Sequence, residues 1–268
     1  MQTANRKPLT LIDLNKMKQE NIKISCLTAY DASFSALLDQ VGIDILLVGD
    51  SLGMTIQGHS STLPVSLVDM IYHTRCVNRA RKRSFLIADL PFMTYPTPLI
   101  AAKNAMQLIQ AGAQMVKLEG LKLDIIRFIL DQGIPVCGHL GLLPQSINQL
   151  GGYTVQGKTA ADAEVLLTAA LALEAAGVSL LVLECVPAQL AKTIAAQLNI
   201  PVIGIGAGID CDGQVLVLYD LLNIGIEKTP KFSQNFLQAT NSIKQAVANY
   251  HNAVKNHEFP TSEHSFYS

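Results

Sequence analysis

Three stretches with one grammar decide the fold: AGAQMVKLEG (residues 111–120), QGIPVCGHLG (132–141) and AGVSLLVLEC (176–185). Each leaves the end of a helical pattern, passes a glycine suited to the left-handed turn beyond a helix, and enters a short apolar run. Each run then stops on a residue able to do chemistry: Lys117 and Glu119, then His139, then Glu184. Apolar runs without alternation mark strands covered on both faces, as parallel strands are.

Outward from these stretches the pattern recurs. Strands are expected near 23–28, 43–49, 84–88, 114–119, 134–138, 179–184, 201–205 and 215–219. Helices are expected over 32–41, 66–81, 98–111, 121–132, 159–176 and 187–198, with Asp31 and Ser66 as N-caps. Eight strands alternating with helices predict an α/β fold, a single (β/α)8 TIM barrel, ahead of a doubly wound open sheet. Residues 1–20 read as an N-terminal arm with a short helix starting at Thr10. Residues 21–256 form the barrel, ending in a long C-terminal helix over 231–255, and 257–268 read as a flexible tail. GAGIDCDGQ (206–214) leaves little room for a helix between the seventh and eighth strands.

A β/α barrel gathers its catalytic residues from strand ends at one face. ILLVGDS (45–51) stops at Asp50 and Ser51, and SFLIADLP (84–91) passes Asp89. Acids brought that close repel one another unless a cation or a shared proton holds them. The spacing therefore suggests a divalent metal with a carboxylate base beside it. Mg²⁺ usually takes one or two protein carboxylates and keeps positions open for substrate oxygens. Lys117 and Glu119 are two apart on one strand and so point the same way. Taken singly, each acid could equally cap the next helix. Glu184 follows SLLVL, and so apolar a setting disfavours the charged carboxylate, as a general base near neutrality requires. His139 reads as a site residue rather than a metal ligand, because no second histidine stands at ligand spacing from it. The long loops 52–66 and 140–158 follow strands, so they lie on the face that holds the acids.

Other motifs carry less. Gly49-Asp50-Ser51-Leu52 spells the signature of GDSL hydrolases, but the C-terminal D-x-x-H that such enzymes need is missing. Gly204, Gly206 and Gly208 fail the dinucleotide fingerprint and read as room for strand and loop to pass under a ligand. The basic run Arg79-Ala80-Arg81-Lys82-Arg83 falls on the opposite barrel face, at a helix C-terminus that favours cations.

Composition narrows the class. Charged residues make up 15% of the 268 and hydrophobic ones 49%, against a charged share of about 25% in ordinary domains. So little charge implies apolar surface covered by neighbours, hence a homo-oligomer. A formal net charge of −1 supports neither a nucleic-acid nor a membrane partner. Five scattered cysteines without a C-x-x-C pair, and no signal or membrane segment, point to a reducing, cytoplasmic setting.

With these residues laid out, the chain closely resembles the ketopantoate hydroxymethyltransferase family. The segments that carry the resemblance are VGDSLGMTIQGHSSTLPVSLVDMIYHT, ADLPFMTYPT, NAMQLIQAGAQMVKLEG, GIPVCGHLGLLPQSINQLGGYTVQGK, LVLECVPAQLA and IPVIGIGAGIDCDGQVLV. The resemblance implies a Mg²⁺-dependent barrel that moves a one-carbon unit from 5,10-methylenetetrahydrofolate to 3-methyl-2-oxobutanoate, in a decamer. It implies Asp50 and Asp89 as metal carboxylates, with Glu119 completing the site directly or through water. It assigns substrate binding to Asp50, Ser51, Asp89, Lys117 and His139, and proton abstraction to Glu184. Two positions depart from the family: Leu121 stands where a second glycine is common, and Gln234 where a lysine is usual. Phosphoenolpyruvate mutase and isocitrate lyase relatives offer a second reading within the same fold, but their K-K-C-G-H loop is absent.

Overall fold

In the computed structural model, which describes residues 7–226 and 229–267, the apolar runs become eight parallel strands. They are β1 (Ile24–Thr28), β2 (Ile45–Val48), β3 (Phe85–Asp89), β4 (Met115–Glu119), β5 (Val136–Gly141), β6 (Leu180–Glu184), β7 (Val202–Ile205) and β8 (Gly213–Leu216). Each pairs with the next, and β8 closes on β1 through Ile24↔Gly213 to Leu27↔Leu216. The predicted (β/α)8 barrel is the fold. Residues 1–6 of the expected arm lie outside the described residues.

Strand parity builds two cores. Ile24, Cys26, Ile45, Leu47, Phe85, Ile87, Met115, Cys137, Leu180, Val182, Ile203, Ile205 and Val215 face inward and fill the barrel. The residues between them, such as Leu46, Val48, Leu86, Ala88, Val116 and Leu118, face outward beneath the helices. A period of two sorts the side chains in this way. Helix α1 (Leu11–Gln19) closes the lower end. Thr10 caps it in a reciprocal box with Asp13, and fully buried Leu14 joins the inner core.

The outer layer holds α2 (Ala32–Val41), α4 (Leu67–Ala80), α5 (Pro98–Ala111), α6 (Leu123–Asp131), α8 (Ala160–Ala175) and α9 (Ala188–Gln197). Asp31 and Ser66 cap α2 and α4 as the sequence predicts. One-turn helices α3 (Leu52–Thr55) and α7 (Ile147–Leu150) break up the two long loops, and α10 (Leu218–Leu222) follows β8. No helix intervenes between β7 and β8, as the shortness of GAGIDCDGQ requires.

The closing helix is shorter than the expected 231–255. Helix α11 spans Ile243–Lys255, capped by Ser242. The twelve-residue stretch before it turns instead, because Asn235 Oδ1 accepts from the Leu237 and Gln238 N–H groups at 3.0 and 3.1 Å. Such local bonds compete with a helix. Phe236, drawn into the core, packs edge-on against Tyr250 and Phe259. The eighth strand also ends at Leu216 rather than 219, because Val217 is the N-cap of α10.

α11 is tied to the barrel at its middle and at its C-terminal end. The Tyr250 hydroxyl reaches the carbonyls of Cys26 and Gln214, both at 2.9 Å. Lys255 Nζ donates to the Lys23 carbonyl at 2.6 Å and to buried Asp44 at 2.5 Å, and Arg83 also pairs with Asp44. Beyond α11 the sequence reads as flexible. In the structure residues 257–267 lie against the barrel, with Phe259 and Ser265 buried. No described helix is long and apolar enough to cross a membrane.

Neighbouring helices α4 and α5 expose Val68, Tyr72, Leu99 and Met106, at 74%, 63%, 57% and 45% of their surface. An apolar patch of that kind favours association. Sedimentation equilibrium should give a mass that is a multiple of 28.9 kDa. Charged substitutions at Val68 and Tyr72 should reduce it.

Candidate active site

The chemistry-bearing residues extend the inner-facing sets of their strands. On β3 the inward series is Phe85, Ile87, Asp89; on β4 it is Met115, Lys117, Glu119. On β5 it is Cys137 and His139, and on β6 Leu180, Val182, Glu184. Register then sets them side by side. Asp89 lies level with Lys117, Glu119 with His139, and Glu184 with Gly141. Asp50 and Ser51 follow β2 directly. All of them line one cavity of about 480 Å³ at the carboxyl ends of the strands.

Asp50, Asp89, Lys117, Glu119 and His139 are each at most 5% exposed. Lys117 Nζ donates to Asp89 Oδ1 at 2.7 Å. The other Asp89 oxygen accepts from the Asp50 backbone N–H at 3.2 Å. Burial, reinforced by the charges of Asp89 and Glu119, pushes the Asp50 carboxyl well above the usual range. Burial works against the Lys117 charge, but Asp89, Asp50 and Glu119 together outweigh it and raise its pKa.

His139 sits between two acids, with Nδ1 3.6 Å from Glu119 and Nε2 3.2 Å from Glu184. Neither ring nitrogen makes a formed hydrogen bond to these carboxylates, so the contacts act through proximity of charge. Burial and Lys117 oppose a charged ring, yet the two glutamates prevail and raise its pKa to about 9. Glu184 has its side chain 15% exposed to the cavity. Its carbonyl accepts from the Leu142 N–H at 2.8 Å, in a space that only glycine leaves: a Cβ on Gly141 (φ +93) would come within 2.1 Å of that oxygen.

Ser51 Oγ pairs with the Tyr30 hydroxyl at 2.9 Å. A serine nucleophile needs a base there, so the hydrolase reading gains no support. His73 Nδ1 bonds the Tyr30 carbonyl at 2.6 Å, and His59 is exposed; neither joins the cluster. The glycines after β7 serve packing. A Cβ on Gly206 would press on the Phe232 and Phe266 rings, and one on Gly208 on Ala188.

Sequence reasoning missed Gln145, from the long loop after β5. Its backbone N–H donates to Glu119 Oε2 at 3.0 Å. Its amide Nε2 donates to Asp50 Oδ2 at 2.8 Å and to the Leu90 carbonyl at 3.0 Å. Its Oε1 accepts from the Tyr95 hydroxyl. The Leu90 carbonyl can only accept, so it fixes which way the amide faces. One residue thus orients two of the four acids. The only sequence signal was the length of the loop.

The carboxylates supply hard oxygen donors suited to Mg²⁺. No group of three His, Cys, Asp or Glu among the described residues is set to enclose an ion unaided. One oxygen each of Asp50 and Glu119 is already engaged by Gln145, and those of Asp89 by Lys117 and the Asp50 N–H, each oxygen keeping a second lone pair. An ion there would take the remaining lone pairs and depend on substrate or water for the rest. Asp50, Asp89 and Glu119 converge in the buried mouth with Lys117 paired to Asp89 alone, so the donor set fits a cation.

The fold is shared with distant enzymes. A structure of oxaloacetate acetylhydrolase in complex with the inhibitor 3,3-difluorooxalacetate superposes with a TM-score of 0.60 at 14% identity, covering 94% of this chain and 97% of that one. Much nearer is a Psychromonas ingrahamii protein named 3-methyl-2-oxobutanoate hydroxymethyltransferase. It is 56% identical over 256 residues, 95% of this chain and 97% of its own. A Thiobacillus denitrificans protein of the same name is 56% identical over 262 residues, 97% of this chain and 100% of its own. The family described as ketopantoate hydroxymethyltransferase matches residues 8–262. The barrel and its ring of acids are those of a chain that belongs to the ketopantoate hydroxymethyltransferase family.

Proposed function

We propose that this enzyme transfers a one-carbon unit from 5,10-methylenetetrahydrofolate to 3-methyl-2-oxobutanoate, giving ketopantoate for pantothenate synthesis. One observation carries the reading: Asp50, Asp89, Lys117, Glu119, His139 and Glu184 meet at one buried barrel mouth. Asp50 and Asp89 would hold Mg²⁺, with Glu119 directly or through water. When bound, the ion supplies positive charge for a 2-oxo acid that becomes an enolate.

The chain's own residues do the rest. Ser51 and Lys117 hold the carboxylate and keto oxygen of the substrate. Lys117, kept cationic by its acids, also favours charge developing on the keto oxygen. Glu184 takes the proton from C3, with the His139 ring beside it at 3.2 Å. C3 then forms the new carbon–carbon bond to the one-carbon unit, and that carbon leaves both folate nitrogens. Water supplies the hydroxyl group of that carbon, and tetrahydrofolate departs with the C3 proton and the second water proton on those nitrogens. The enzyme works as a cytoplasmic homo-oligomer, a decamer by family resemblance.

Ketopantoate formation should stop with EDTA and return with added Mg²⁺; activity indifferent to chelation would remove the metal from the scheme. Glu184→Gln keeps the side-chain shape but cannot take a proton. Turnover should fall by roughly 10²–10⁴ while 3-methyl-2-oxobutanoate still binds. Deuterium exchange at C3, followed with Mg²⁺ and no folate, should fall in parallel. Exchange at the parent rate would hand the role of base to another residue. Gln145→Leu should weaken Mg²⁺ binding by about 10–100-fold, the usual effect of losing an outer hydrogen-bond partner. Titration calorimetry without substrates reads this directly, and unchanged affinity would exclude Gln145 from preparing the acids.

A further inference from the structure

A small branched 2-oxo acid cannot fill this cavity. About 480 Å³ is a volume suited to a drug-sized ligand. Outside the acid cluster the lining is largely apolar, and it includes Met54, Tyr153, Phe232 and Phe266. Phe232 and Phe266 sit together over the end of β7, both within about 3 Å of where a Gly206 Cβ would stand. The Phe266 carbonyl accepts from the Ala188 N–H at 2.8 Å, four residues beyond Glu184. Lys231 donates to the Ser265 carbonyl at 3.1 Å and lies over the Phe266 ring at 5.1 Å. The tail thus brings an aromatic ring to the side of the cavity where the proposed base stands.

A carboxylate faces the same cavity from the adjoining β8 side. Asp220 lines the pocket at α10, and no described residue hydrogen-bonds its side chain. Burial alone pushes its carboxyl up to about 6. A partly buried acid without a partner is costly unless something else satisfies it. A flat ring with two adjacent N–H donors, such as an amino group beside a ring amide, could be gripped by both carboxylate oxygens. Its faces would rest on aromatic side chains.

We propose that Phe232, Phe266 and Asp220 form the subsite for the reduced pterin ring of the one-carbon carrier. The ring lies against the two phenylalanines with its amino-amide edge on Asp220, and its one-carbon unit is directed at C3 beside Glu184. This rests on the functional reading above, because that reading names the carrier.

The test is calorimetric titration of the full-length enzyme with tetrahydrofolate, and separately with its two halves, tetrahydropterin and p-aminobenzoylglutamate. Phe232→Ala and Phe266→Ala should each weaken tetrahydrofolate and tetrahydropterin by roughly tenfold, as expected for losing one ring under a heterocycle. Phe266→Leu should restore part of the loss. Asp220→Asn presents an N–H to the donor edge and should weaken both ligands to a similar degree. Affinity for 3-methyl-2-oxobutanoate with Mg²⁺ should stay within about twofold in each variant, which separates a lost subsite from a lost fold. Unchanged tetrahydropterin affinity in all variants, or a loss confined to p-aminobenzoylglutamate, overturns the assignment. A parent enzyme that binds no tetrahydrofolate overturns the choice of carrier itself.

Discussion

A closed barrel has a single interior, and every second residue of every strand is committed to it. This constraint places Lys117 above Met115 and Glu119 above Lys117, and it sets Asp89 beside Lys117, His139 beside Glu119, and Glu184 one inward position further along its strand. Once closure is set, four acids share a water-poor mouth with one ammonium group and one imidazole. Buried charges in that arrangement are poor sources of stability. The apolar layers beneath them and the plug at α1 offset the strain. A stable lower barrel holding a frustrated upper rim matches the rule that local conflicts gather at functional sites.

The residues that depend only on parity were legible in the sequence. Lys117 and Glu119, two apart on an apolar run, had to share a face, and the glycine-led entries to β4, β5 and β6 marked where the strands begin. The N-caps Asp31 and Ser66 could be read for the same reason, since a cap acts within a few residues of itself. Gln145 could not be read. Its meaning comes from the path of a loop that returns over β2 and β4, and from a tyrosine fifty positions away that accounts for its carbonyl. The stretch before α11 misled for a related reason. Its apolar spacing suits a helix, but Asn235 bonds the next amides and Phe236 answers to Tyr250 and Phe259 instead.

Gln145 also bears on how the site meets its ligands. Without it, Asp50 and Glu119 would have to be oriented by whatever enters. With both carboxylates already turned, a ligand finds oxygens in place and loses less freedom in ordering them.

The path of the C-terminal segment has a consequence for how the protein is made. Lys255 fastens α11 to Asp44 at the lower rim, and ten residues later the Ser265 carbonyl and the Phe266 ring reach the upper mouth. Every strand leaves the ribosome before these residues do. The barrel can therefore close, and its acids converge, while the mouth still lacks one wall. Between those two moments a nascent chain holds its charged cavity open to its surroundings, and any chaperone or metal ion that reaches it meets a wider entrance than the finished enzyme presents.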